Sequence, residues 1–155
     1  MLAFSILAAV LLLCIGYEDF AHRTVKLVWY LLLPAALLPL RFSHVTFEEF
    51  GISFLMNIAY MVLLLSVALG VLYVRHKRMV SPLSSIGLGD ILFFAILAMW
   101  FDTPSFIIFI SLSLIVALVA HTLLQRFSFY RRHQTVPLAG MQSLCFLVIF
   151  LTSVI

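Results

Sequence analysis

The chain has 155 residues, 65% of them hydrophobic and 10% charged, with a formal net charge of +3 and a mean hydropathy of +1.25. Soluble domains average about half apolar and about a quarter charged, and a chain this short has no interior able to bury so much apolar surface. A water-soluble fold is excluded. The net positive charge does not point to nucleic acid, because the basic residues fall in short loops between apolar runs, where membrane orientation accounts for them.

Lipid-facing backbone must satisfy its own hydrogen bonds, which leaves helices or closed barrels. The apolar runs lack the strict alternation of barrel strands, so the expected class is all-α: a single-domain, polytopic bundle spanning residues 1–155. Six apolar segments are read, at about 2–17, 27–40, 50–74, 88–101, 105–124 and 137–155. The first, "MLAFSILAAVLLLCIGYEDF", has no basic residue before its apolar run, unlike a secretory signal. It is expected to be a retained helix with its N-terminus outside. The second, "LVWYLLLPAALLPL", is short and carries Pro34 and Pro39, which predicts a kink or an upstream extension through Thr24. The third, fifth and sixth reach the length of about 20 residues that a span needs; the fourth does so only if it starts near Ile86. Cys14 and Cys145 lie inside apolar runs and read as small core residues.

With the N-terminus outside, six spans put Arg23, Lys26, Arg75, Lys77, Arg78, Arg126, Arg131 and Arg132 in cytoplasmic loops and leave Arg41 on the other side, a split of eight to one. That is the asymmetry of the positive-inside rule, and it puts both chain ends outside. The cluster "RHKRM", Arg75–Met79, and the trio Arg131, Arg132 and His133 are expected to anchor loops at anionic headgroups. His121, Asn57 and Gln142 sit within spans and are expected to form interhelical hydrogen bonds. Ser111, Ser113, Ala117 and Ala120 read as a small-residue packing strip.

The acidic residues divide in the same way. Glu48, Glu49 and Asp102 fall in outer loops and read as solvated charge. Glu18, Asp19 and Asp90 fall on the cytoplasmic side, with Asp19 ending the first helix and Asp90 opening the fourth. Two carboxylates that approach across a bundle tend to share one proton, so that one takes a proton from water while the other hydrogen-bonds the carbonyl under attack. Gly87 and Gly89 leave the backbone room to turn or to lie along an extended strand. Plainer readings stand beside this one: Asp90 as a helix cap, Asp19 paired with Arg23 four residues on, and Glu18 as a modulator at most.

"YEDFAHRTV", with Asp19 and Arg23, resembles the first catalytic motif of the type IV prepilin peptidases. "GLGD", Gly87–Asp90, resembles their second, the G-x-G-D motif shared with presenilin-type intramembrane aspartyl proteases. "TVPLAGMQSL", Thr135–Leu144, sits where that family has a proline-glycine stretch opening the last helix. The resemblance covers the whole chain. It implies a multi-pass enzyme of the bacterial inner membrane, with catalytic Asp19 and Asp90 at the cytoplasmic edge supported by Gly87, Gly89, Arg23 and Lys26. No metal and no cofactor are implied. Its partners would be the lipid bilayer and prepilin-like substrates, cut where a basic leader meets an apolar helix. The chain departs from the family at Leu92, where a lysine is usual, and at Lys26 and Leu27, where proline and asparagine are usual. The absence of an amino-terminal segment with paired cysteines predicts cleavage without methyl transfer. Two other functions fit the acids: a non-catalytic assembly component, and a small proton-coupled carrier using both acids as a relay.

Overall fold

The computed structural model describes residues 1–76, 87–124 and 137–154. These residues form six α-helices and, among them, no strand: α1 Leu2–His22, α2 Leu27–Arg41, α3 Phe47–His76, α4 Leu88–Trp100, α5 Thr103–Leu124 and α6 Leu138–Val154. Lys77, Arg78, Arg131, Arg132 and His133, expected above to anchor loops, lie outside the described residues, as do Arg126 and the proposed start of the fourth segment near Ile86.

Among the described residues, three helices are long and apolar enough to cross a membrane: α1, the Phe47–Val71 part of α3, and Thr103–Leu123 of α5. This differs from the hydropathy reading, which favoured the third, fifth and sixth segments. Helix α1 continues past the apolar run through Tyr17–His22, and the described part of α6 begins only at Leu138. The extension of α1 has a local cause. Arg23 adopts a left-handed conformation (φ 56°, ψ 20°) and its N–H closes on the Asp19 carbonyl at 3.1 Å, the usual way to end a helix, although glycine is the usual residue there. Helix α2 starts at Leu27, with no upstream extension, and runs through both prolines. Since Pro34 has no N–H, it cannot donate to the Tyr30 carbonyl one turn before it.

The helices close into a ring in the order α1, α2, α4, α3, α5, α6, with α6 returning to α1 over the most extensive of the contacts; α4 also touches α6 across the middle. Phenylalanines fill the centre. Phe93, Phe106, Phe146 and Phe150 are fully buried, and Trp100 and Phe101 from the end of α4 pack edge-on against Phe146 at 6.0 and 5.5 Å.

Polar groups finish the helix ends. Thr46 and Glu49 form a reciprocal cap at the start of α3, with Thr46 N–H donating to Glu49 Oε2 at 2.9 Å and Glu49 N–H to Thr46 Oγ1 at 3.3 Å. Glu49 is therefore a capping residue, beyond the solvated loop charge expected. Asn57, fully buried in α3, donates through Nδ2 to the Ala98 and Phe101 carbonyls at 3.0 and 2.8 Å, satisfying acceptors that the end of α4 leaves open. Gln142 reaches Ser113 Oγ at 3.4 Å across the α5–α6 contact. Of the small-residue strip, Ser113 and Ala117 are buried and Ser111 is exposed.

Candidate active site

Asp19 lies in the last turn of α1 and Asp90 in the first turn of α4. Both reach the start of α6. Pro137 precedes that helix and supplies its first carbonyl, accepting from Met141 N–H at 3.0 Å. The N–H groups of the first turn have no partner within the helix and carry the positive end of its dipole. Two of them are taken by the acids: Ala139 N–H donates to Asp90 Oδ1 at 2.9 Å, and Gly140 N–H donates to Asp19 Oδ2 at 2.6 Å. Consecutive Cα atoms are about 3.8 Å apart, so these two bonds confine the bonded oxygens to within about 9 Å of each other. Two residues 71 positions apart in the chain thus share one helix end. Asp19 is buried and Asp90 half-buried.

Close packing makes this possible. A Cβ built on Gly140 would stand 3.0 Å from Asp19 Oδ2, 3.1 Å from Asp19 Cβ and 3.2 Å from a ring carbon of Phe20. Glycine lets α1 come this near to α6 without a shift. Ala139 and Gly140 were inside a quoted motif, but the site residues expected above did not include them. The signal available was a small-residue pair beginning two residues after a proline, at the start of an apolar run.

Gly89 faces α2. The space in front of it is filled by Tyr30 of α2, whose hydroxyl oxygen is 2.9 Å from where a Cβ on Gly89 would be. Gly87 precedes α4 with ordinary backbone angles (φ −55°, ψ 139°), and a Cβ on it would meet Asp90 Oδ2 at 3.3 Å. Asp90 does not cap its own helix through its side chain; it caps α6.

Two other expected residues, Arg23 and Lys26, lie in the turn between α1 and α2. Arg23 ends α1 and its charge acts on Asp19 from the same turn. Lys26 turns away: its Nζ is 3.5 Å from Glu18 Oε1, on a side chain that is 76% exposed, and its backbone N–H donates to Glu18 Oε2 at 3.0 Å. Glu18, expected to be a modulator at most, ties the α1–α2 turn and fixes where α2 begins. Leu92 packs against the apolar core. Among the described residues no three His, Cys, Asp or Glu side chains gather as metal ligands would.

The fold and site define a class: an all-helical protein with membrane-length helices, in which two carboxylates from separate helices meet at the start of a third. Compared with known proteins, the chain matches no family model, no curated protein and no solved structure.

Proposed function

We propose that this chain is a membrane-embedded aspartic endopeptidase that removes the leader from type IV pilin-like precursors at the cytoplasmic face of a bacterial inner membrane. In this reading all six helices cross or enter the bilayer, both chain ends lie outside, and the acids stand at the inner leaflet. The observation that carries it is the shared helix end, with Asp19 and Asp90 bonded to successive amides of α6. The ordered resemblance of "YEDFAHRTV", "GLGD" and "TVPLAGMQSL" to prepilin peptidase motifs supports the choice of substrate.

The chemistry follows from proton sharing within the pair. The ionised carboxylate takes a proton from water as the water oxygen bonds to the peptide carbon, and the protonated carboxyl hydrogen-bonds and then protonates the carbonyl oxygen. Collapse of the tetrahedral intermediate breaks the C–N bond as the departing nitrogen takes a proton from one carboxyl and the other carboxylate takes the proton of a diol hydroxyl, which returns the pair to one shared proton. The amides of α6 orient both acids and do no chemistry themselves.

A second reading has an observation in its favour. In a non-catalytic assembly component, the two acids would serve only as caps for α6; Leu92 in the core and Lys26 engaged by Glu18 fit that role. One experiment separates the two. Reconstituted protein is given a precursor carrying a basic leader and an apolar helix, beside Asp19→Asn and Asp90→Asn. Cleavage by the parent and by neither variant supports the peptidase; no cleavage by the parent supports the component.

A further inference from the structure

We propose that the Tyr30 hydroxyl is a third functional group of the site, donating a hydrogen bond to the oxygen of the peptide carbonyl that the two aspartates act on. This rests on the peptidase reading above. Tyr30 is 4% exposed, and among the described residues its hydroxyl has no hydrogen-bond partner. A hydroxyl buried without a partner is costly, and native structures seldom leave one so.

The position of this hydroxyl makes the cost intelligible. It lies against Gly89, next in sequence to Asp90, and both Asp19 and Asp90 are within Coulombic range of it. The ring is held from behind, edge-on to Phe93 with centroids 6.5 Å apart, so the hydroxyl is directed and not free to swing. The acids also have commitments: each gives one oxygen to α6. As water bonds to the carbonyl carbon, the former carbonyl oxygen gains an electron pair and needs donors. One carboxyl supplies a proton, and Tyr30 O–H supplies the second hydrogen bond, with no bond broken at tyrosine. A fixed donor aimed at developing negative charge is the arrangement that lowers such barriers.

The test is Tyr30→Phe in the full chain, reconstituted in liposomes and assayed on a synthetic precursor segment, with the parent and Asp90→Asn alongside. The expected result is a kcat lower by about 100- to 1,000-fold, KM within about twofold of the parent, and a melting temperature no lower than the parent's, since the hydroxyl has no internal bond to lose. An unchanged kcat, or a melting temperature that falls together with activity, overturns the proposal; the second would mean the hydroxyl holds the fold. A parent that cuts nothing fails the peptidase reading and takes this role with it. An active parent, an inert Asp90→Asn and an undiminished Tyr30→Phe remove Tyr30 alone.

Discussion

Gly140 and Asp19 meet in close contact: the Gly140 amide donates to Asp19 Oδ2 at 2.6 Å, and a single added carbon at position 140 would stand 3.1 Å from Asp19 Cβ. The obstruction is close to the α1 backbone, so no rotamer change relieves it. Helix α1 would have to give by a few tenths of an ångström, loosening the carboxylate on its amide. Gly140→Ala is expected to destabilise the protein by about 1–3 kcal/mol, the usual cost of overpacking, and to lower precursor cleavage at least tenfold. Thermal unfolding in detergent and a processing assay measure both.

Gly89 and Tyr30 offer a test of a single contact. Gly89→Ala would force the new Cβ to within 2.9 Å of the Tyr30 hydroxyl, while the nearest ring carbon, Cζ, would be an acceptable 3.6 Å away. Gly89→Ala alone should lose stability and activity. Adding Tyr30→Phe removes the clashing oxygen, so the double variant should recover the stability of Tyr30→Phe and its activity, but not the parent's. The expected coupling between contacting residues is about 0.5–3 kcal/mol. Strict additivity in a double-mutant cycle would mean that the close approach at Gly89 has no energetic consequence.

Asn57 serves as a control away from the acids. Its amide caps the Ala98 and Phe101 carbonyls at the end of α4. Asp90 begins that helix of 13 residues, which at 1.5 Å per residue is about 20 Å long. Asn57→Leu leaves two carbonyls without their donor in a buried place, at a cost of about 1–3 kcal/mol. Cleavage per folded molecule should match the parent's when measured below the variant's melting range. A drop in kcat there would show that α4 transmits strain from one end to the other.

How much of this was legible in the sequence depends on what each signal measures. Hydropathy finds apolar runs, so the six helices and the common end of Asp19 and Asp90 followed from segment counting and alternation. It is blind to how a helix ends. The polar continuation of α1 through His22 depends on Arg23 closing onto the Asp19 carbonyl, which no apolar run records. Tyr30 sat inside "LVWYLLL" as one more apolar position; its hydroxyl matters only because α2 packs on α4 at Gly89, a contact between distant segments. Lys26 looked like spare positive charge near the site, but Glu18, eight residues before it, captures both its amide and its ammonium. Ala139 and Gly140 could be found only as a motif, because a backbone donor leaves no trace in side-chain chemistry.

The cap that Asp19 forms and the acid role proposed for it can be separated by choosing the substitution. An asparagine at this position keeps a carbonyl oxygen that accepts from Gly140 N–H but cannot exchange a proton with water. Asp19→Asn is therefore expected to fold with near-parental stability and to lose at least about a hundredfold in cleavage rate, the low end for losing a general acid or base. Asp19→Ala removes the acceptor as well. It leaves the Gly140 amide unpaired at a buried helix start, which costs about 1–3 kcal/mol, so this variant should be both inactive and less stable. Amide hydrogen exchange at the start of α6 reads the difference: protection should persist in Asp19→Asn and fall in Asp19→Ala. If the alanine variant keeps full protection there, the carboxylate is not what satisfies α6, and the geometry linking the two acids loses its foundation. If the asparagine variant keeps parental activity, the cap is the whole role of Asp19 and the water must be activated elsewhere.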